Sequence, residues 1–108
     1  SIDDATFLAQ LIKANIRVRF SEKPFTIEGN SFGRGSLIIL RHDNENNSNF
    51  DSDVVTIAND QKRKLTAVSS GFVDSGKDFG SSAWVVTFYS IYKKLKSRDA
   101  TENFRVTL

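Results

Sequence analysis

The sequence predicts an α/β (or α+β) fold: one small mixed sheet of about five or six strands with two helices, containing a hairpin and one βαβ unit. Three observations carry that expectation. Residues 15–40, NIRVRFSEKPFTIEGNSFGRGSLIIL, hold three short strand candidates separated by polar turns. Two stretches with helical apolar spacing flank them, Asp3–Ala14 and the one opening at Asp51. Further on, WVVTFYSIY at 84–92 concentrates β-branched and aromatic residues, which favours a strand.

In chain order, Phe7, Leu8, Leu11 and Ile12 form one apolar stripe on the first helix. Asp3 and Asp4 suit its first turn, and Asn15 is a fitting stop. Ile16, Val18 and Phe20 then alternate with Arg17 and Arg19, the period of a strand with one buried face. Ser21–Pro24 reads as a turn, because proline fixes its φ and brings no ladder donor. Phe25 and Ile27 alternate again, Gly29-Asn30 is the next turn, and Gly33-Arg34-Gly35 is a flexible corner. Leu37-Ile38-Ile39-Leu40 does not alternate, so both faces of this strand should be covered. The expectation is a hairpin leading into a buried central strand.

Arg41–Asn49, RHDNENNSN, has little apolar surface and is expected to be an exposed, mobile loop anchored by Phe50. Asp51-Ser52-Asp53 starts the second helix, whose buried stripe is Val54, Val55, Ile57 and Ala58, and which ends at Lys62-Arg63-Lys64. Leu65–Ser69 is the next strand. With Leu37–Leu40 and the helix it makes a βαβ unit, which implies parallel pairing and a right-handed crossover. A glycine-rich loop over 71–82 follows, then the strand at 84–92, to which Phe104–Leu108 can pair.

The chain's 108 residues suit a single domain spanning 1–108, and 39% apolar with 26% charged residues suits a globular core. Opening on Ser1 with no Met, it reads as a piece of a longer protein. It holds neither a signal-peptide pattern nor an apolar run of about 20 residues, the length needed to span a bilayer. Zero Cys removes disulfides and thiolate metal sites. A net charge of +2 is too small to mark a nucleic-acid binder by itself. The cations cluster at Lys62–Lys64 and Lys93–Lys96, where solvated element ends are expected.

Three patterns invite chemistry. His42 and Glu45 make an H-x-x-E, as found in zinc carboxypeptidases, but catalytic zinc needs a third protein ligand, and His42 is the only His. Gly71–Asp78 is one residue short of a phosphate-binding loop, with Asp78 standing where the Mg²⁺-ligating hydroxyl belongs. A serine nucleophile lacks its elbow motif. Stacking of nucleic-acid bases has only Tyr89 and Tyr92 beside Lys93 to draw on, so nucleic acid is not an expected partner. If the loops at the carboxyl ends of the parallel strands form a crevice, Arg41, Gly76, Lys77 and Asp78 would line it as ligand-binding residues.

The run FLAQLIKANIRVRFSEKPFTIEGNSFGRGSLIILRHDN, continued by LTAVSSGFVDSGKDFGSS, resembles an accessory α/β segment of large secreted bacterial zinc carboxypeptidase-like proteins. The resemblance covers residues 7–82 and is carried best by KPFTIEGNSFGRGSLII and the GKDFGS loop; residues 83–108 do not share it. It implies a non-catalytic accessory domain that packs against, or presents substrate to, a catalytic peptidase domain of the same parent chain. Zinc would belong to that parent enzyme and not to this chain, and the location would be periplasmic or extracellular. The alternative from the residues themselves is an independent binding module for an anionic ligand or nucleic acid, carried by Lys62–Lys64, Lys93–Lys96 and the glycine loop. A homodimer through an exposed edge of the 84–92 strand is a further possible partnership.

Overall fold

The computed structural model describes residues 2–69 and 80–86. Helix α1 (Ile2–Lys13) is followed by strands β1 (Arg19–Phe20), β2 (Phe25–Ile27), β3 (Asn30–Phe32) and β4 (Leu37–Leu40). A 3-10 turn at His42–Asn44, helix α2 (Phe50–Asp60), and strands β5 (Thr66–Val68) and β6 (Ala83–Val86) complete the order. The expected class, a mixed α/β domain with two helices and six strands, is observed among the described residues, but the hairpin joins β2 to β3, and β1, expected to lead into β2 through Ser21–Pro24, pairs with β4 instead.

The arrangement of those strands differs from the expectation. They divide into two antiparallel sheets, a four-stranded one ordered β1-β4-β6-β5 and the two-stranded hairpin β2-β3. In the β4–α2–β5 unit the two strands point the same way, since each is antiparallel to β6. They do not pair with each other, however, because β6 lies between them. Residue pattern predicted β1, β2, β4, β5 and β6 but not their neighbours: apolar groups on both faces of β6 qualify it for a central slot, and Leu37↔Val86 through Leu40↔Ala83 fill that slot completely. The strand edge expected to be free for dimerisation is accordingly paired on both sides over Ala83–Val86. Residues 87–92 and the Phe104–Leu108 strand lie outside the described residues.

Alternation along β4 organises the core. Leu37 and Ile39 join Phe7, Leu8 and Leu11 of α1 and Phe50, Val54 and Ala58 of α2 in one cluster. Ile38 and Leu40 join Phe25 and Ile27 of β2, Val68, Ala83 and Val85 in the other. The helices therefore cover one face of the main sheet and the hairpin covers the opposite face, giving three layers. All four β4 side chains are buried, each contributing roughly 1.5–3 kcal/mol by leaving water.

Local chemistry fixes the element ends. α1 stops at Asn15, whose φ of 63° allows its N–H to reach the Ile12 carbonyl while the Ile16 N–H reaches Leu11. That is a Schellman turn, sealed by Ile16 and Leu11 in the same core cluster. α2 ends the same way, with Lys62 at φ 56° and bonds from Lys62 to Asn59 and Arg63 to Ala58. Side chains of Asp3 and Asp4, expected at the start of α1, lie outside the described residues. Asp51 and Asp53 do occupy the first turn of α2, although Asn49 is the N-cap and makes no side-chain cap. β3 was not expected, since Asn30, Ser31 and Phe32 carry no apolar alternation. The two-residue turn before it, Glu28-Gly29, has φ of 50° and 78°, the positive pair that a type I′ hairpin turn needs.

The loop after β4 also departs from expectation. Asn44 is buried, with its Oδ1 accepting the Arg17 N–H and its Nδ2 donating to the Arg17 and Leu40 carbonyls. A short polar side chain thus continues the β1–β4 ladder where its backbone pairing ends, and buried Asn is stable there because its amide is satisfied.

Candidate functional site

At the end of the main sheet where β4 finishes, Arg41 is where the sequence placed it, beyond Leu40, but its guanidinium is occupied. Nη1 and Nη2 donate to Asp51 Oδ2 and Oδ1 at 2.8 and 2.9 Å, and Nε donates to Ser82 Oγ at 2.9 Å. Its planar group also lies 5.3 Å from the Phe50 ring centroid. The carboxylate hydrogen bonds raise the Arg41 pKa. Asp51 is held below its ordinary value, first by Arg41 and also by the Trp84 indole N–H, which donates to Oδ1 at 3.2 Å. This is a clamp between β4, α2 and β6. Gly76, Lys77 and Asp78, the residues expected beside Arg41, lie outside the described residues, as do Lys93–Lys96.

His42 and Glu45 are neighbours on the exposed 3-10 turn, with Nδ1 and Oε1 3.2 Å apart. Asp43 instead faces Arg19, which donates Nε and Nη2 to its two oxygens at 2.7 and 2.8 Å, a bidentate pair that raises the Arg19 pKa. Among the described residues no third His, Cys, Asp or Glu joins a group that would hold a metal. Among the described residues His42 and Glu45 are thus two donors, short of the three protein ligands that catalytic zinc takes. Glu28 is engaged too: its carboxylate accepts the Ser69 N–H at 3.0 Å and the Ser69 hydroxyl at 2.8 Å, pinning the hairpin turn to the end of β5.

At the opposite end, where β5 begins, a cleft of about 430 Å³ opens between the hairpin and the main sheet. Ser31 and Phe32 of β3 form one side, Thr66 of β5 with Val85 and Val86 of β6 the other, and Lys62, Arg63 and Lys64 complete the lining. Its origin is local at every point. The Schellman turn fixes the backbone at Lys62 and turns the chain toward β5, so three successive cations arrive together. Ser31 is steadied by Thr26, their hydroxyl oxygens being 3.2 Å apart. Phe32 is backed by Phe25, with ring centroids 5.2 Å apart and planes 25° from parallel. Arg63 extends partly toward α1, 6.0 Å from the Phe7 ring centroid. Lys62 and Lys64 are exposed, and among the described residues neither has an ionic partner.

A cationic rim over hydroxyl and apolar walls can hold an anion by charge and orient it by hydrogen bonds. Sequence reasoning found the cations and read them first as a solvated element end, with anion binding as the alternative. The walls were out of reach, because Ser31, Thr66 and Val85 come from three strands whose adjacency no local pattern reveals. A comparison with protein-family profiles, curated proteins and solved structures finds no match to this chain.

Proposed function

We propose that the chain is a binding module for a small anionic ligand, taken into the cleft between the open end of the hairpin and the start of β5. The observation that carries this reading is the convergence of Lys62, Arg63 and Lys64 on a cavity that also exposes Ser31 and Thr66. The volume lies within the range of small-molecule sites, roughly 300–1,000 Å³. Titrating the protein with inorganic pyrophosphate, followed by backbone amide shifts, tests it. Shifts should centre on Ser31, Phe32 and residues 62–66, and should weaken as sodium chloride is added, since the attraction is screened. Charge reversal at Lys62 and Lys64 together should abolish them. Millimolar pyrophosphate leaving those amides unmoved at low salt rules the reading out.

A second reading, the accessory domain of a secreted zinc carboxypeptidase-type peptidase, draws support from where the resembling run falls. Residues 23–39 supply the hairpin and most of the central strand, a frame for other surfaces and not a reactive centre. Under this reading the partner is a catalytic peptidase domain of the same parent chain, zinc belongs to that domain, and the setting is periplasmic or extracellular. Metal analysis of the purified chain decides it. Stoichiometric, tightly held zinc, or peptide cleavage by the chain that a chelator stops, contradicts the accessory role.

A further inference from the structure

We infer that the ligand of this cleft is an organic phosphate monoester whose ring lies against Phe32 and Val85 while its phosphate meets Lys62 and Lys64. The inference rests on the anion-binding reading and adds the chemical class. The lining divides into two kinds of surface. Phe32 and Val85, which share the hairpin side of the sheet, are apolar, and the stack on Phe25 holds the Phe32 ring in place. Such a wall attracts the apolar part of a ligand and gives a bare inorganic ion nothing extra. An aromatic ring has a flat face suited to packing on another ring, worth about 0.5–1.5 kcal/mol beyond area burial.

The charged side argues for more than one negative charge. Lys62 and Lys64 are exposed and without an ionic partner among the described residues, and Arg63 stands between them in sequence. A carboxylate offers a single charge, whereas a phosphate monoester carries about −1.5 to −2 near neutral pH and three acceptor oxygens. The Thr66 hydroxyl, also on the lining, is a neutral donor of the kind that fixes such oxygens. A cleft of about 430 Å³ takes one such molecule, not a polymer.

The intact chain, titrated in parallel with phenyl phosphate, hexyl phosphate, inorganic phosphate and benzyl alcohol, provides the test. Phenyl phosphate should bind about tenfold more tightly than inorganic phosphate, with shifts at Phe32 and Val85, and more tightly than hexyl phosphate. Phe32→Leu should erase most of the phenyl advantage and leave inorganic phosphate unchanged. Lys62→Glu with Lys64→Glu, both at exposed positions, should remove binding of every phosphate without unfolding the chain. Equal affinity for phenyl and inorganic phosphate overturns the ligand class while anion binding stands. Tighter binding of the hexyl ester overturns the ring preference. If no phosphate binds, or if benzyl alcohol binds as well as phenyl phosphate, the anion-binding reading itself fails.

Discussion

At the end of the sheet where β4 finishes, Arg41 is committed to Asp51 and Ser82, and Arg19 to Asp43. At the end where β5 begins, Lys62 and Lys64 stand exposed beside a cavity, with no ionic partner among the described residues. Both ends are basic in sequence, yet one uses its cations to join elements and the other leaves Lys62 and Lys64 without an ionic partner among the described residues. A charge already paired with good geometry adds to positioning; a charge beside a cavity adds to binding. The distinction lies in the partners and cannot be drawn from the cations alone.

The sharpest way to break this contrast is to remove a partner at the joined end. Asn44→Ala strands the Arg17 N–H and the Arg17 and Leu40 carbonyls, and should cost about 2–3 kcal/mol of stability. Urea unfolding should show a lower midpoint with an unchanged slope. Lys64→Ala at the other end should stay within about 0.5 kcal/mol of the parent, as surface changes generally do. Equal losses from the two variants would end the contrast.

Lys62 sharpens it from the other side. A non-glycine residue at φ 56° is strained, so Lys62→Gly should stabilise the fold by about 0.5–1 kcal/mol while weakening pyrophosphate binding. Stability and binding measured on the same variant should move in opposite directions, which a purely structural lysine would not produce.

The smallest effect expected is acid titration of the clamp. Asp51 is depressed below its ordinary value of 3.8, chiefly by Arg41. Its contribution is therefore complete above that value and is lost only as pH falls through the lower folded value. Both partners are about half exposed, so solvent screening keeps the stability change small. Trp84, the only tryptophan, reports it through its bond to Asp51. The midpoint of its emission change should fall below 3.8. A midpoint above 3.8 would show that the clamp does not form in solution.

Local features were legible in the sequence wherever one element answers for itself. The stripe Phe7, Leu8, Leu11 and Ile12 announced α1, although only its first three members are buried and Ile12 is exposed; Asn15 announced its end, and the unbroken Leu37–Leu40 run a strand covered on both faces. What escaped depends on distant partners. The slot of β6 between β4 and β5 follows from pairing across the whole chain, and β3 holds its place by pairing with β2 although two of its three residues are polar. The loop after β4 looked too polar to pack, but burial of Asn44 is set by Arg17, which lies 27 residues away. At the site, Arg41 was found by its position at a strand end, and its engagement by Asp51 was not. Lys62–Lys64 were visible as a cluster, while Phe32 and Val85 opposite them were not.

The late arrival of β6 in the middle of the sheet has a consequence for how the chain is made. Ribosomal synthesis delivers β1, β4 and β5 first, and until Ala83–Val86 emerges the inner edges of β4 and β5 face an empty channel about one strand wide. Two bare ladders on half-built molecules are ready templates for each other. A nascent or truncated polypeptide stopping before Ala83 should therefore borrow the missing strand from a neighbour or precipitate, and the last strand to enter acts as the keystone of the sheet.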